Sequence, residues 1–391
     1  MSARAKGSTL RAATLAAACF AFILRALFSV ACGAAAQQQT DSVTPARVAE
    51  VVTQLRRAAP DDSTFAQALA LGYALFGAGR FAESAELFGA LVERRPDNAS
   101  ALYGDALATF NSGRAAEAEP LARRAVEAAR LTAKTSDANG ANAQSQANGA
   151  HSQGTGAQST NARALDVRTA DALVLLAVVL AVRGDDAGAL KSAREAAALA
   201  PESFDAQFTL GRALYGAGDS AAAARAFRSA VALRPADSQA RFFLATSLEQ
   251  SGDDEGALSA YRELATREPR AAEGHLGLGV LLVKRGGADA DEGLKELARA
   301  IEINPDLYEA RVALGRALVA RGRAAEAIEH LQRAAQLAPG NPEPHYQLSL
   351  AYRRLGRKAE AEAESEAVKR IHESRRAGGA QQDKPPAASG P

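Results

Sequence analysis

Three prolines, Pro201, Pro235 and Pro269, stand 34 residues apart, and the sequence between them repeats in phase. In the stretch Phe204 to Asp237, Phe208, Leu210, Gly211 and Leu214 mark one amphipathic helix. Ala223, Phe227 and Ala230 mark a second, with a turn at Gly218 and Asp219 and a stop at Pro235. Two helices of this length cannot bury their own apolar faces, so copies must stack. The chain is therefore predicted to be all-α and elongated, which also explains how 391 residues do without one large globular core.

The phase extends over most of the chain. A cap helix from Thr44 to Arg57 precedes the units Phe65 to Asn98 and Ala99 to about Ala129, the second being the weakest, with Pro120 in the first turns of its second helix. Units at Ala170, Phe204 and Ser238 follow, then one from Ala272 to Leu307 with its turn lengthened by two residues around Gly287. Tyr308 to Asn341 is the seventh, and an eighth opens at Pro342 and becomes highly charged, as the polar end of a stacked array must.

The predicted divisions are a signal segment at 1–36, an N-terminal capping helix at 37–64, two repeats at 65–130 and a low-complexity linker at 131–166. Six repeats with a C-terminal capping helix fill 167–375, and a disordered tail fills 376–391. The linker is rich in Ala, Asn, Gln, Ser and Gly and lacks apolar bulk. Just after it, Ala172 to Val182 is apolar on every side yet shorter than the roughly 20 residues of a membrane span. Such a helix must be covered on every side, so the linker is predicted to loop out of one continuous array.

The spacing and signature residues are similar to those of the tetratricopeptide repeat family. Leu210, Gly211, Ala223, Phe227, Ala230 and Pro235 occupy its signature places, while Gln207 stands where its tryptophan belongs. The resemblance implies an α-solenoid whose inner surface, made by the first helix of each pair, binds a peptide or a partner protein. It also implies which places face inward: the second, fifth, ninth, twelfth and thirteenth of each unit. Here those supply Phe208, Tyr215, Phe242 and Tyr346, and the cations Arg212, Lys284, Arg316, Arg353 and Arg354, a combination suited to a peptide with apolar and acidic character. Asp205, Glu273, Glu309 and Glu343 face the same way, and pairing with those arginines is an equal alternative. The lysine-and-asparagine clamp by which some relatives hold a C-terminal carboxylate is missing, its lysine places being taken by residues such as Phe208 and Val312.

No phosphate loop, HExxH, Cys-x-x-Cys or Gly-x-Ser-x-Gly motif occurs, so an enzyme is not expected, and no cofactor or metal is implied. His275 and His345 sit at the fourth place of their units as substitutes for a large helix residue, and His330 and His372 read as solvated. An RNA-reading helical repeat would need a basic stripe and repeated polar pairs, where this chain has Val174, Phe208, Phe242, Leu276 and Val312.

Arg4, Lys6 and Arg11, the apolar run Ala12 to Leu24 and the small residues Ala34 to Ala36 give the order of a secretory signal. Arg25 interrupts the order and leaves a retained membrane anchor as one alternative; lipidation of Cys32 after Val30 and Ala31 is another. Both cysteines, Cys19 and Cys32, lie in this segment. Its loss changes the formal charge from +1 to −3, since it holds four basic residues and no acidic one. Such a chain has no net attraction to nucleic acid or anionic lipid. The expected product is exported, periplasmic or secreted, and starts at Gln37. Intact-mass analysis of the exported form should show that start, and a soluble cytoplasmic chain retaining Met1 would contradict it.

Overall fold

The computed structural model describes residues 44–146 and 155–382, with side chains described for 44–135 and 166–376. The signal segment, Cys19, Cys32 and the end of the tail lie outside the described residues. All described regular structure is helical, in 17 helices that fall into two compact units divided at Arg234 and Pro235.

The N-terminal unit holds α1 (Pro45–Arg57), α2 (Asp62–Gly77), α3 (Phe81–Arg94), α4 (Ala99–Asn111), α5 (Ala115–Gln146), α6 (Thr155–Val182), α7 (Asp186–Leu199), α8 (Phe204–Gly216) and α9 (Ser220–Leu233). The C-terminal unit holds α10 (Ser238–Ser251), α11 (Asp254–Arg267), α12 (Ala272–Arg285), α13 (Asp289–Ile303), α14 (Tyr308–Ala320), α15 (Ala324–Leu337), α16 (Pro342–Arg354) and α17 (Lys358–Gln382). Start signals are local: the side chains of Thr44, Asp61, Asn98, Ser203, Asp237 and Asn341 each accept a backbone N–H of the helix that follows. Each hairpin turns through a glycine with positive φ, as at Gly218 (φ 80°), where a side chain would be strained. The lengthened sixth turn uses two, Gly286 and Gly287.

In four of the units a large side chain on the second helix packs against a glycine on the first. The place-24 residue on the second helix meets the place-8 residue on the first. Phe88, fully buried, fits against Gly72, where an added Cβ would lie 2.7 Å from the ring, and against Gly104 of the next helix, where it would lie 2.5 Å away. Phe227 meets Gly211, Leu297 meets Gly279 and Leu331 meets Gly315 in the same way, and Tyr261 occupies the place facing Gly277. Where the place-24 residue shrinks to Ala122 or Ala193, place 8 fills to Ala106 or Ala177, and all four are buried. The glycines thus follow from close packing, since each excluded Cβ creates the space that the opposite ring occupies.

The predicted linker differs from its sequence reading. Helix α5 continues to Gln146 and α6 begins at Thr155, so backbone read as irregular is helical on both sides of residues 147–154. An alanine-rich segment attached to a packed helix needs no new nucleation, and its propensity is enough to extend the turn. The same reasoning applies to α17, which runs past the predicted start of the tail to Gln382. Helices α5 and α6 pack against each other, and one core takes in Ala118, Ala122 and Val126 before the insertion with Leu173, Leu176 and Val179 after it. Arg183–Glu119 and Arg130–Glu195 ion pairs join the same two sides. Within α6 the apolar stretch Ala172–Leu180 is buried except for half-buried Val174, and Val182 is exposed.

Candidate functional site

The five inward places of a first helix fall within a stripe of about 100°, opposite the face that carries Ala206, Gly211 and Leu214 into the core. Their side chains fare differently in the two units. In the N-terminal unit Phe208 is not groove surface: it is 5% exposed, stacked on Phe204 at 5.5 Å and edge-on to Phe227 at 5.6 Å. Its aromatic area is already used by the core, which corrects the sequence reading. Tyr215 is half-buried, and Arg212 is half-buried with its Nη1 atom enclosed, so neither presents the free surface expected of it.

In the C-terminal unit Phe242 is half-buried, edge-on to Phe243 at 5.8 Å and to Tyr261 at 6.4 Å. Lys284 is exposed but binds Asp254 at 2.8 Å, so its charge is already matched. That carboxylate lies on a second helix and is none of the four that the sequence nominated as partners. Tyr346 is 52% exposed, and Arg316, Arg353 and Arg354 are exposed as well. Arg353 donates to the Ser365 hydroxyl at 3.2 Å. Among the described residues no carboxylate forms an ion pair with Arg316 or Arg354; Glu343 instead accepts from Gln347 at 3.0 Å, and Asp205 lies 3.4 Å from Arg234.

The fourth place, left open by the missing tryptophan, carries a recurring polar clamp. Gln207 donates to the Pro201 carbonyl at 3.1 Å, Arg241 to that of Pro235 at 2.9 and 3.0 Å, and Arg311 to that of Pro305 at 2.5 Å. His275 lies 3.4 Å from the Pro269 carbonyl. Three of these places also reach a carboxylate on their own second helix: Arg241–Glu263 at 3.0 Å, His275–Glu296 at 2.6 Å and His345–Glu364 at 2.6 Å. The histidines thus fasten a helix to its neighbours, and no group of metal-ligating side chains occurs among the described residues. His330, read as solvated, is half-buried with Nδ1 enclosed and unpartnered, and burial, with the nearby Arg311 charge, lowers its pKa; His372 is exposed.

Groups that the sequence reading left out lie on the first helices of the N-terminal unit. Tyr73 at the ninth place of its unit, Tyr103 at the fifth and Asp171 at the second follow the numbering already applied after Phe204, and that register was the available signal. All three are partly buried. Burial raises both phenols, with the Asp171 charge adding to it, and burial followed by repulsion from Asp205 pushes the Asp171 carboxyl up to about 6.

Stacked antiparallel helix pairs with this inner stripe define an all-α solenoid of the helical-repeat class. The family model described as tetratricopeptide repeat matches residues 69–131, 208–272 and 255–306, and a second, described as TPR repeat, matches 315–356. The chain belongs to the tetratricopeptide repeat family, and is by that membership a protein–protein interaction scaffold of a kind that is typically non-catalytic. No curated protein sequence matches it. Among solved structures it is similar to a thermophilic TPR protein of Thermus thermophilus, with 26% identity over 43% of this chain and 91% of that one (TM-score 0.36). YrrB, described as a TPR protein with an unusual peptide-binding site, is 18% identical over 46% of this chain and 93% of its own (TM-score 0.39). Pseudomonas aeruginosa pilF is 16% identical over 54% and 93% (TM-score 0.45). No helix among the described residues is long and apolar enough to cross a membrane.

One buried carboxyl has a structural rather than a chemical role. Asp105 is 8% exposed, and burial pushes it up to about 6 against the Thr109 hydroxyl, which donates to it at 3.2 Å. A raised folded value means that its favourable linkage is complete below the unfolded value of 3.8 and is lost as pH rises through about 6. In urea titrations, wild type should therefore lose on the order of 1–3 kcal/mol relative to Asp105→Asn between pH 4 and 7.5. Parallel pH profiles for the two proteins would show that the carboxyl is not held in this way.

Proposed function

We propose that the chain is a non-catalytic scaffold of the cell envelope or exterior that holds a peptide or partner protein on the inner face of its first helices. The observation that carries this reading is Tyr346, half exposed on α16 and followed one and two turns later by Leu350 and by Arg353 and Arg354. An aromatic ring left in water beside arginines without carboxylate partners supplies anchoring area and bidentate donors together, which suits an apolar segment carrying an acidic group. Export rests on the basic, apolar and small-residue order of the first 36 residues.

The reading is tested by affinity capture from the envelope fraction with wild type and with the Arg316→Ala, Tyr346→Ala, Arg354→Ala triple variant, the retained proteins being quantified by mass spectrometry. Recovery of the specific partner should fall by more than about fivefold, beyond the effect of an exposed ion pair, while the melting temperature hardly moves. Unchanged recovery, or loss of recovery together with melting, would remove this face from the function.

A further inference from the structure

In the C-terminal unit one set of fourth-place acceptors is served by two kinds of side chain. Arg241 on α10 donates to the Pro235 carbonyl and pairs with Glu263 on α11 at 3.0 Å. His275 on α12 faces the same two kinds of acceptor: Nδ1 lies 2.6 Å from Glu296 on α13, and Nε2 lies 3.4 Å from the Pro269 carbonyl. His345 on α16 repeats the carboxylate half, with Nδ1 2.6 Å from Glu364 on α17. An arginine keeps its charge at every pH a protein meets, whereas histidine is the side chain that exchanges its charge between about pH 5 and 8.

The geometry at His275 calls for two donors. A neutral imidazole has one N–H, so donation to Glu296 from Nδ1 turns the Nε2 lone pair toward the lone pairs of the Pro269 carbonyl. The imidazolium donates to both acceptors, and its bond to Glu296 is charge-assisted. His275 is 8% exposed, so there is little room for water to supply the missing donor. The other charged groups nearby have partners of their own. Helices α10 and α11 pair Arg241 with Glu263, which Arg267 also reaches at 2.9 Å, and Arg311 on α14 donates to the Pro305 carbonyl. Beside α16, Arg333 on α15 is bound to Asp306 at 2.7 Å, and on α16 itself Glu343 accepts from Gln347. Among the described residues Glu296 and Glu364 are the charged side chains that reach the two rings by hydrogen bond or ion pair.

We propose that His275, with His345 as a second instance, is a proton-operated clamp of the C-terminal unit. Protonated, His275 fastens α12 both to α13 and to the turn before it, as Arg241 fastens α10 permanently. Neutral, it keeps one of the two bonds, and His345 loses the charge in its bond to Glu364. The folded chain favours the charged ring, so the clamp's contribution is complete at acid pH and is lost as the ring gives up its proton. Helices α12 and α16 carry Leu276, Lys284 and Tyr346 of the inner stripe, so proton loss loosens the helices that form that face.

The test is hydrogen exchange read by mass spectrometry on full-length wild type, His275→Arg and His275→Gln at pH 5.5 and 8.0. The fourth place already accommodates Arg241 and Arg311, so His275→Arg supplies a clamp that does not titrate. Protection of α12 and α13 peptides in wild type should match His275→Arg within about twofold at pH 5.5 and fall about tenfold below it at pH 8.0, the factor for one lost bond to a charged group. His275→Gln, which carries no charge at either pH, should lie below wild type at pH 5.5 and within about twofold of it at pH 8.0. Peptides of α2 to α4, in the other unit, should not distinguish the three proteins. A ratio of wild type to His275→Arg that is the same at both pH values overturns the proposal. So does a ratio of wild type to His275→Gln that does not change with pH, which decides the matter even where the arginine variant folds poorly.

Discussion

The structure depends on one contact, the fit of a large place-24 side chain into the space left by a missing Cβ on the facing helix. Phe88 against Gly72 and Gly104, Phe227 against Gly211 and Leu331 against Gly315 let helices approach closely enough to exclude water from a core that is otherwise largely alanine. Alanine contributes little apolar area per residue, so close approach and the few rings carry much of the burial. At Ala106/Ala122 and Ala177/Ala193 two buried alanines meet instead, and at Ala245/Tyr261 the large ring faces an alanine and fits against Gly277 of the next helix. The polar clamps at the fourth place then fasten α8, α10, α12 and α14 to the proline turn before each, where the family signature would place a tryptophan.

Most of the architecture was legible in the sequence because a 34-residue period fixes helix, turn and stacking partner together. Glycines at turns and at place 8 could be assigned because only backbone freedom or close packing requires them there. Two boundaries were not legible. Composition marks the stretches after Leu131 and Ala377 as unable to form a core, but says little about whether a helix already anchored will continue, and α5 and α17 continue.

The candidate site was legible in place but not in availability. Periodicity put Phe208 and Tyr346 at the same fifth place, yet Phe208 is buried on Phe204 and Phe227 whereas Tyr346 is exposed. The difference lies in neighbours: Phe204 and Phe227 both present rings to Phe208, and a register number cannot express that. Lys284 falls in the groove by the same counting, and Asp254, which a groove count ignores, holds it.

The claim that volume exchange across the helix pair organises the fold is tested most directly by a double-mutant cycle on Phe88→Leu and Gly104→Ala. Gly104→Ala alone should destabilise the N-terminal unit by about 1–3 kcal/mol, because its Cβ would lie 2.5 Å from the Phe88 ring. In the Phe88→Leu background the same change should cost at least about 1 kcal/mol less, the coupling of two residues that share one space. Additive effects of the two changes would contradict the account.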